Sequence, residues 1–262
     1  MHDLTTNFIA RLRTRDPQAW FELWETFGPV LRAQLSRWGR GRIGHETVQD
    51  LSQETLVALA SAIDRHDPSQ GARFSTWLLA IARYTLGDEI DRRMAQKRGG
   101  GVKPLSLNAQ VGDSSDMGFL SPDPGPAPDE AYEQEVFDAK VEAALRAVER
   151  DVGFEDFEVF RQRILEGRSG KDVARALGTS EPTISRRLAK VRTRLKENLF
   201  QVFSKYSFTP EEWEELERNG LDPNPNRKDE AQFELAVADV YHRLVQRQAG
   251  PPTDTALLPD RS

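Results

Sequence analysis

Apolar residues fall three and four positions apart along most of this chain, the spacing that gives an α-helix one buried face. Asp16-Pro17 opens the first clear run, since Asp can cap free backbone N–H groups and Pro fits the first helical position. Ala19, Trp20, Leu23, Trp24 and Phe27 follow at helical spacing until Gly28-Pro29, which predicts a stop, and a second short helix is expected over residues 30–38. Gly39, Gly41 and Gly44 interrupt the pattern. Residues 45–63 and 74–97 then read as two longer helices, separated by His66-Asp67-Pro68-Ser69-Gln70-Gly71. No stretch alternates long enough for a strand, so the expected fold class is all-α.

Between Gly99 and Pro128 the composition shifts to Gly, Pro, Ser and Asp, too little apolar surface to offset the entropy of ordering. Residues 99–130 are therefore expected to be a flexible acidic linker between two small helical domains, residues 1–98 and 131–206. Helical periodicity resumes over residues 131–148 and 154–166 and continues to about Tyr206. Residues 207–262 form an extension, with a short acidic helix over 211–218, a turn, an amphipathic helix over 228–248 and a Pro-rich tail from Gly250.

The most informative pattern lies at residues 167–195, which read as two helices and a tight turn. Ser169 with Asp172 has the form of a capping box at the first helix. Ala174 is small where helices pack closely, and Gly178 follows Leu177, expected to be the last core residue, where the backbone must reverse. Ser180 can cap the second helix, whose first turn tolerates Pro182. Ile184, Leu188, Val191 and Leu195 form the stripe expected to be buried. The opposite face carries Thr183, Ser185, Arg186, Lys190 and Arg194, side chains suited to base edges and phosphates in a major groove. Glu181 is the exception: it either sits favourably at the helix N-terminus or accepts a hydrogen bond from cytosine.

Charge changes the picture only when divided along the chain. The net charge of −6 argues against a nucleic-acid partner, yet residues 161–206 carry 12 Lys/Arg against 4 Asp/Glu, a net of +8. Residues 104–160 are at −11 and residues 207–262 at −6. With 262 residues, 38% of them hydrophobic, the chain can build two domains of roughly 100 residues. Cysteine is absent, which excludes disulfides, Cys-ligated zinc and thiol chemistry. The polar start and the lack of about 20 consecutive apolar residues point to a cytoplasmic protein without membrane insertion. His2, His45, His66 and His242 lack metal-ligand spacing, and there is no Gly-rich phosphate loop, so no enzymatic activity, metal or cofactor is expected.

The basic motif, preceded by Val159-Phe160-Arg161-Gln162-Arg163-Ile164-Leu165-Glu166, resembles the fourth conserved region of bacterial sigma factors. Upstream, Asp50-Leu51-Ser52-Gln53-Glu54-Thr55, then Phe74-Ser75-Thr76-Trp77-Leu78 and Ile81-Ala82-Arg83, resemble the second conserved region of extracytoplasmic-function sigma factors in order and spacing. The resemblance covers about residues 4–98 and 131–206. It implies that Asp50, Gln53 and Glu54 dock on the beta-prime clamp of RNA polymerase core. An acidic and amide face suits a basic partner helix on physical grounds too. It further implies that Phe74, Trp77, Arg83, Tyr84, Asp88, Arg92 and Arg93 lie at minus-ten promoter DNA, although the helical spacing of Phe74 and Trp77 also fits a core role. Tyr84 stands where many members have Asn. Arg168, Lys171, Glu181, Thr183, Ser185, Arg186, Arg187 and Lys190 are the set implied for the minus-thirty-five element.

Such a protein would recruit RNA polymerase core, through the beta-prime clamp and the beta flap, to specific promoter DNA, with an anti-sigma factor or another regulator as a further partner. The acidic linker would thread toward the active-site channel or serve as a plain spacer. The other reading of the helix-turn-helix is a repressor or activator that acts without replacing sigma. For the extension two readings stand: extra core for the preceding domain, or an acidic cover over the basic recognition surface.

Overall fold

The computed structural model describes residues 2–65, 73–97, 129–207, 209–224 and 230–249. The expected linker, apart from its last two residues, lies outside the described residues, as do the loop at 66–71 and the tail from Gly250. Every regular element among the described residues is helical: α1 His2–Arg13, α2 Pro17–Trp38, α3 His45–Ala62, α4 Phe74–Lys97, α5 Glu130–Asp151, α6 Phe154–Phe160, α7 Gly170–Ala176, α8 Glu181–Tyr206, α9 Pro210–Arg218 and α10 Glu230–Ala249. The expectation of an all-α fold therefore holds.

The helices group into two compact units, residues 1–143 with 199–215 and residues 144–198 with 216–262. In the first unit an unbroken series of aromatic contacts runs through the core. Tyr206 meets both Phe8 and Phe27 edge-on at 5.1 Å, Phe27 lies 5.9 Å from Phe74, and Phe74 lies 5.9 Å from Trp77. Such edge-to-face pairs add to the burial of the rings themselves. Tyr132 is also buried here, and its hydroxyl donates to the Ser75 carbonyl at 2.7 Å. Removal from water pushes the Tyr132 phenol well above its ordinary pKa, so it stays a neutral donor.

Two charged clasps tie later segments into this unit. Lys140 and Glu212, each 1% exposed, meet at 2.9 Å, and the ammonium lies 5.3 Å from the Phe203 ring. Glu212 also accepts the Thr209 N–H at 3.2 Å, which caps α9. Arg73, just before α4, donates to Glu133 at 2.6 Å and Glu215 at 2.7 Å.

Gly28-Pro29 does not stop the helix, contrary to the expectation from sequence; α2 is continuous through both. The residue before a proline disfavours helical geometry through a clash involving its Cβ, which Gly28 lacks. A Cβ at Gly28 would lie 2.9 Å from the Trp24 ring. Burial of Leu23, Phe27, Val30, Leu31 and Leu35 on both sides of the pair then favours one straight face over a break. Asp16 caps α2 as expected, accepting the Gln18 N–H at 2.9 Å. Residues 154–166, expected as one helix, are α6 followed by a π-helical turn at Arg161–Leu165.

In the second unit the stripe Ile184, Leu188, Val191 and Leu195 is buried, facing a core that includes Val148, Val159, Phe160, Leu165 and Val173. α10 contributes Phe233, Val237 and Val240 to that core. Its acids Glu230 and Glu234 reach Arg192 at 2.6 and 2.5 Å, and Phe233 lies 5.2 Å from the Lys196 ammonium. α10 thus packs as added core, with Glu230 and Glu234 on Arg192 and not on the residues expected to read DNA.

Candidate nucleic-acid and partner interfaces

The helix-turn-helix assembles from local rules. Ser169 caps α7 by accepting the Asp172 N–H at 3.1 Å, while its own hydroxyl donates to the Asp172 carboxylate at 2.6 Å. That hydrogen bond holds the Asp172 carboxyl below the usual carboxylate range. Gly178 has φ +62°, the left-handed conformation glycine adopts without strain, and Thr179 N–H reaches back to the Ala174 carbonyl at 2.9 Å. The reversal that delivers α8 is therefore a Schellman turn. Leu177, expected to be core, is 36% exposed, because it lies in the turn after the buried pair Val173 and Ala174. Ser180 shares a side-chain hydrogen bond of 2.9 Å with Thr183 at the start of α8.

Within this unit the sequence-predicted residues differ in their surroundings. Lys171, Glu181, Ser185, Arg186 and Lys190 are exposed, and Arg168, Thr183 and Arg187 are half-buried. Arg168 donates to the Gln162 side chain, which itself lies in the π-helical turn. Arg186 lies within 3.3 Å of the Thr183 hydroxyl and meets no carboxylate among the described residues. Arg187 and Lys190, by contrast, are ion-paired to α6 through Glu155 and Asp156.

In the first unit, α3 places Val48, Leu51, Ser52, Thr55 and Leu59 inward. Asp50, Gln53 and Glu54 are left on the exposed side, and neither carboxylate has a counter-ion among the described residues. Buried Thr55 and Thr85 share a 3.1 Å hydrogen bond that fixes α3 against α4. On α4, Phe74 has no solvent exposure and Trp77 is half-buried. Contact of Phe74 with an unpaired base would require it to leave the core. The Arg83 guanidinium lies 4.6 Å above the Trp38 ring, Tyr84 is 50% exposed and Asp88 is half-buried. Arg92 and Arg93 are both held by the buried carboxylate of Glu89, and Arg93 also donates to the Thr47 hydroxyl at 2.6 Å.

The family model described as ECF sigma factor matches residues 2–201. That span contains both motif blocks in one match, from the exposed acidic face of α3 to the turn before α8 and most of α8 itself.

The chain belongs to the ECF sigma factor family.

It is accordingly a sigma factor with a role in transcription initiation, and its family implies RNA polymerase core and promoter DNA as partners. No curated protein matches the chain. The match ends at residue 201, so α9 and α10 of this ECF sigma factor lie beyond it. Among the described residues, no helix is long and apolar enough to cross a membrane.

Reading the sequence missed the residues that orient those it found. Glu89 and Thr47 fix Arg93, Trp38 carries Arg83, and Asp156 holds two cations of α8. The only sequence signal for Glu89 was its i+3 and i+4 spacing to Arg92 and Arg93. Trp38, Thr47 and Asp156 lie 45, 46 and 34 positions from Arg83, Arg93 and Lys190, out of reach of any local pattern.

Proposed function

We propose that this ECF sigma factor directs RNA polymerase core to specific promoters by sequence-specific DNA binding. In this reading α7 and α8 hold the minus-thirty-five element. Arg186, Thr183, Ser185 and Glu181 face base edges, and Lys171, Arg168, Arg187 and Lys190 face phosphates. Asp50, Gln53 and Glu54 dock on the beta-prime clamp. Trp77, Arg83, Tyr84, Asp88, Arg92 and Arg93 attend the minus-ten strand, with Phe74 supporting Trp77 from the core.

The observation that carries the proposal is the form of α8: an apolar stripe fully used in packing, and an exposed edge where Ser185, Arg186 and Lys190 stand over a Gly-turn entry. A helix presented in that way matches the geometry by which helix-turn-helix proteins enter a major groove. Aromatic and Arg side chains on α4 suit unpaired bases, for which stacking is worth roughly 1–3 kcal/mol per base. The beta flap and an anti-sigma factor are further partners proposed on the family resemblance. So is the working division into residues 1–98, a linker at 99–130, residues 131–206 and an extension at 207–262, with action in the cytoplasm.

The test is reconstitution of the full chain with RNA polymerase core on genomic DNA, followed by mapping of transcript starts. The expected result is initiation downstream of a shared pair of sequence elements, protected from cleavage in footprints. Starts scattered as with core alone would overturn the proposal.

A further inference from the structure

We infer that Asp151, Glu155 and Asp156 form an acidic rail beside α8 that decides which cations of the recognition helix are free to meet DNA, with Asp156 a specificity-determining residue. The inference rests on the DNA-binding reading above.

Asp151 ends α5, and Glu155 and Asp156 occupy the first turn of α6. Glu155 meets the Arg187 guanidinium at 2.5 Å, and Asp156 approaches the same group at 3.6 Å. Asp156 also takes the Lys190 ammonium at 2.6 Å. Asp151 takes Arg194 at 3.1 Å, a cation that Glu197 also binds, and Asp151 accepts from Asn198 at 3.2 Å. One edge of α8 is therefore neutralised from within its own unit. Arg186 is not: it has no carboxylate partner among the described residues, its guanidinium lying only against the Pro182 carbonyl and the Thr183 hydroxyl.

This division has a direct consequence for binding. Attraction between cations and phosphates is insensitive to sequence, and each phosphate neutralised releases counterions whatever the bases are. Cations already engaged with carboxylates must exchange those partners for phosphates, so they add little to binding of arbitrary DNA. Arg186, beside Thr183 and Ser185 at the entry of α8, has only neutral neighbours to give up before it meets base edges. Specificity is a difference between two affinities, and the rail lowers the one that carries no sequence information. Among the rail residues Asp156 has the strongest position, because it is only 16% exposed and reaches two cations at once.

Acids in the first turn of a helix are also favoured by its dipole, and ion pairs between α6 and α8 could serve packing alone. A packing role predicts that removing the charge loosens the unit and weakens DNA binding. The rail predicts the reverse.

The test measures binding of the full-length chain to mixed-sequence duplex DNA across a salt series, for the wild type, Asp156→Asn and Glu155→Gln. Asp239→Asn, an exposed site on α10, controls for the change in net charge. The expected result is tighter binding by Asp156→Asn than by Asp239→Asn, with a salt slope steeper by about 0.9 for each phosphate gained, hence by about 1–2. Should Asp156→Asn fail to fold, Glu155→Gln, with its side chain 74% exposed, must shift in the same direction. If the wild type shows no binding to such DNA, the variants must acquire it. Equal behaviour of Asp156→Asn and Asp239→Asn, or weaker binding by Asp156→Asn, would overturn the inference. Arg186→Ala separates the two layers: if it leaves DNA binding unaltered the DNA-facing reading of α8 fails, whereas if it weakens binding while Asp156→Asn stays at the control level, only the rail fails.

Discussion

Charge is used in opposite ways on α3 and on α8. α3 presents Asp50 and Glu54 to solvent with no counter-ion among the described residues, whereas α8 carries cations of which Arg187, Lys190, Arg192 and Arg194 are each met by carboxylates of their own unit. An unpaired exposed carboxylate costs the fold almost nothing and keeps its whole field for a partner. A paired cation gives up part of that field to its neighbour, and in exchange its side chain is held in place. The lesson is that a charged surface should be judged by what already occupies its charges, not by their number. A third case, Lys140 with Glu212, marks the other extreme: both groups are spent on each other and are out of solvent.

The largest effect is expected at that buried pair. Glu212→Gln alone leaves a desolvated ammonium and should cost about 3–5 kcal/mol, seen as a lower urea midpoint, while an apolar replacement of both partners should restore much of it. Truncation after Tyr206 should destabilise the first unit for the same reason, since it removes Glu212 and Glu215 together. Next comes reversal of the unpaired face. Asp50→Lys with Glu54→Lys should weaken association with RNA polymerase core by at least about tenfold, roughly 1.4 kcal/mol, with no change in melting temperature. Unaltered association measured by gel filtration or fluorescence would remove α3 as the docking face.

Arg186→Ala should relax promoter preference by about 1–3 kcal/mol at the base it reads, measured against single-base promoter variants. The smallest effect concerns acid. The Arg11 hydrogen bond holds the Asp16 carboxyl below the usual range, and Ser169 does the same for Asp172. Because both folded values are lowered, the stability these caps supply is complete above the ordinary aspartate range and is lost as pH falls through it toward the lowered values. Asp16→Asn and Asp172→Asn should therefore flatten the acid limb of a stability-versus-pH curve by a small, measurable amount.

Much of the fold could be read in advance because helices obey local rules. The limits of α4 coincide with the predicted 74–97, and α3, α5, α9 and α10 start or end within a few residues of expectation. The capping box at Ser169 and the glycine reversal at Gly178 formed as their chemistry requires. Gly28-Pro29 went the other way, since packing on both flanks outweighed a local stop signal that Gly28 had itself weakened. Leu177 did so too, being apolar in type yet placed by the turn at the surface. Of the candidate interfaces, the exposed trio on α3 and the edge of α8 were legible as faces of helices. Phe74 was not separable from its neighbours by periodicity, since a helix position says which side a residue faces but not how deeply that side is covered.

Periodicity, capping residues and turn glycines depend on neighbours a few positions away, and from them alone follow most of the helices, the helix-turn-helix and the acidic and basic faces of this sigma factor. Which charges remain open depends on residues far apart in the chain: Asp156 with Lys190, Glu212 with Lys140, Glu230 and Glu234 with Arg192. Electrostatic pairing falls off over a few ångströms in space and is blind to separation along the sequence, so only the folded arrangement could assign those partners.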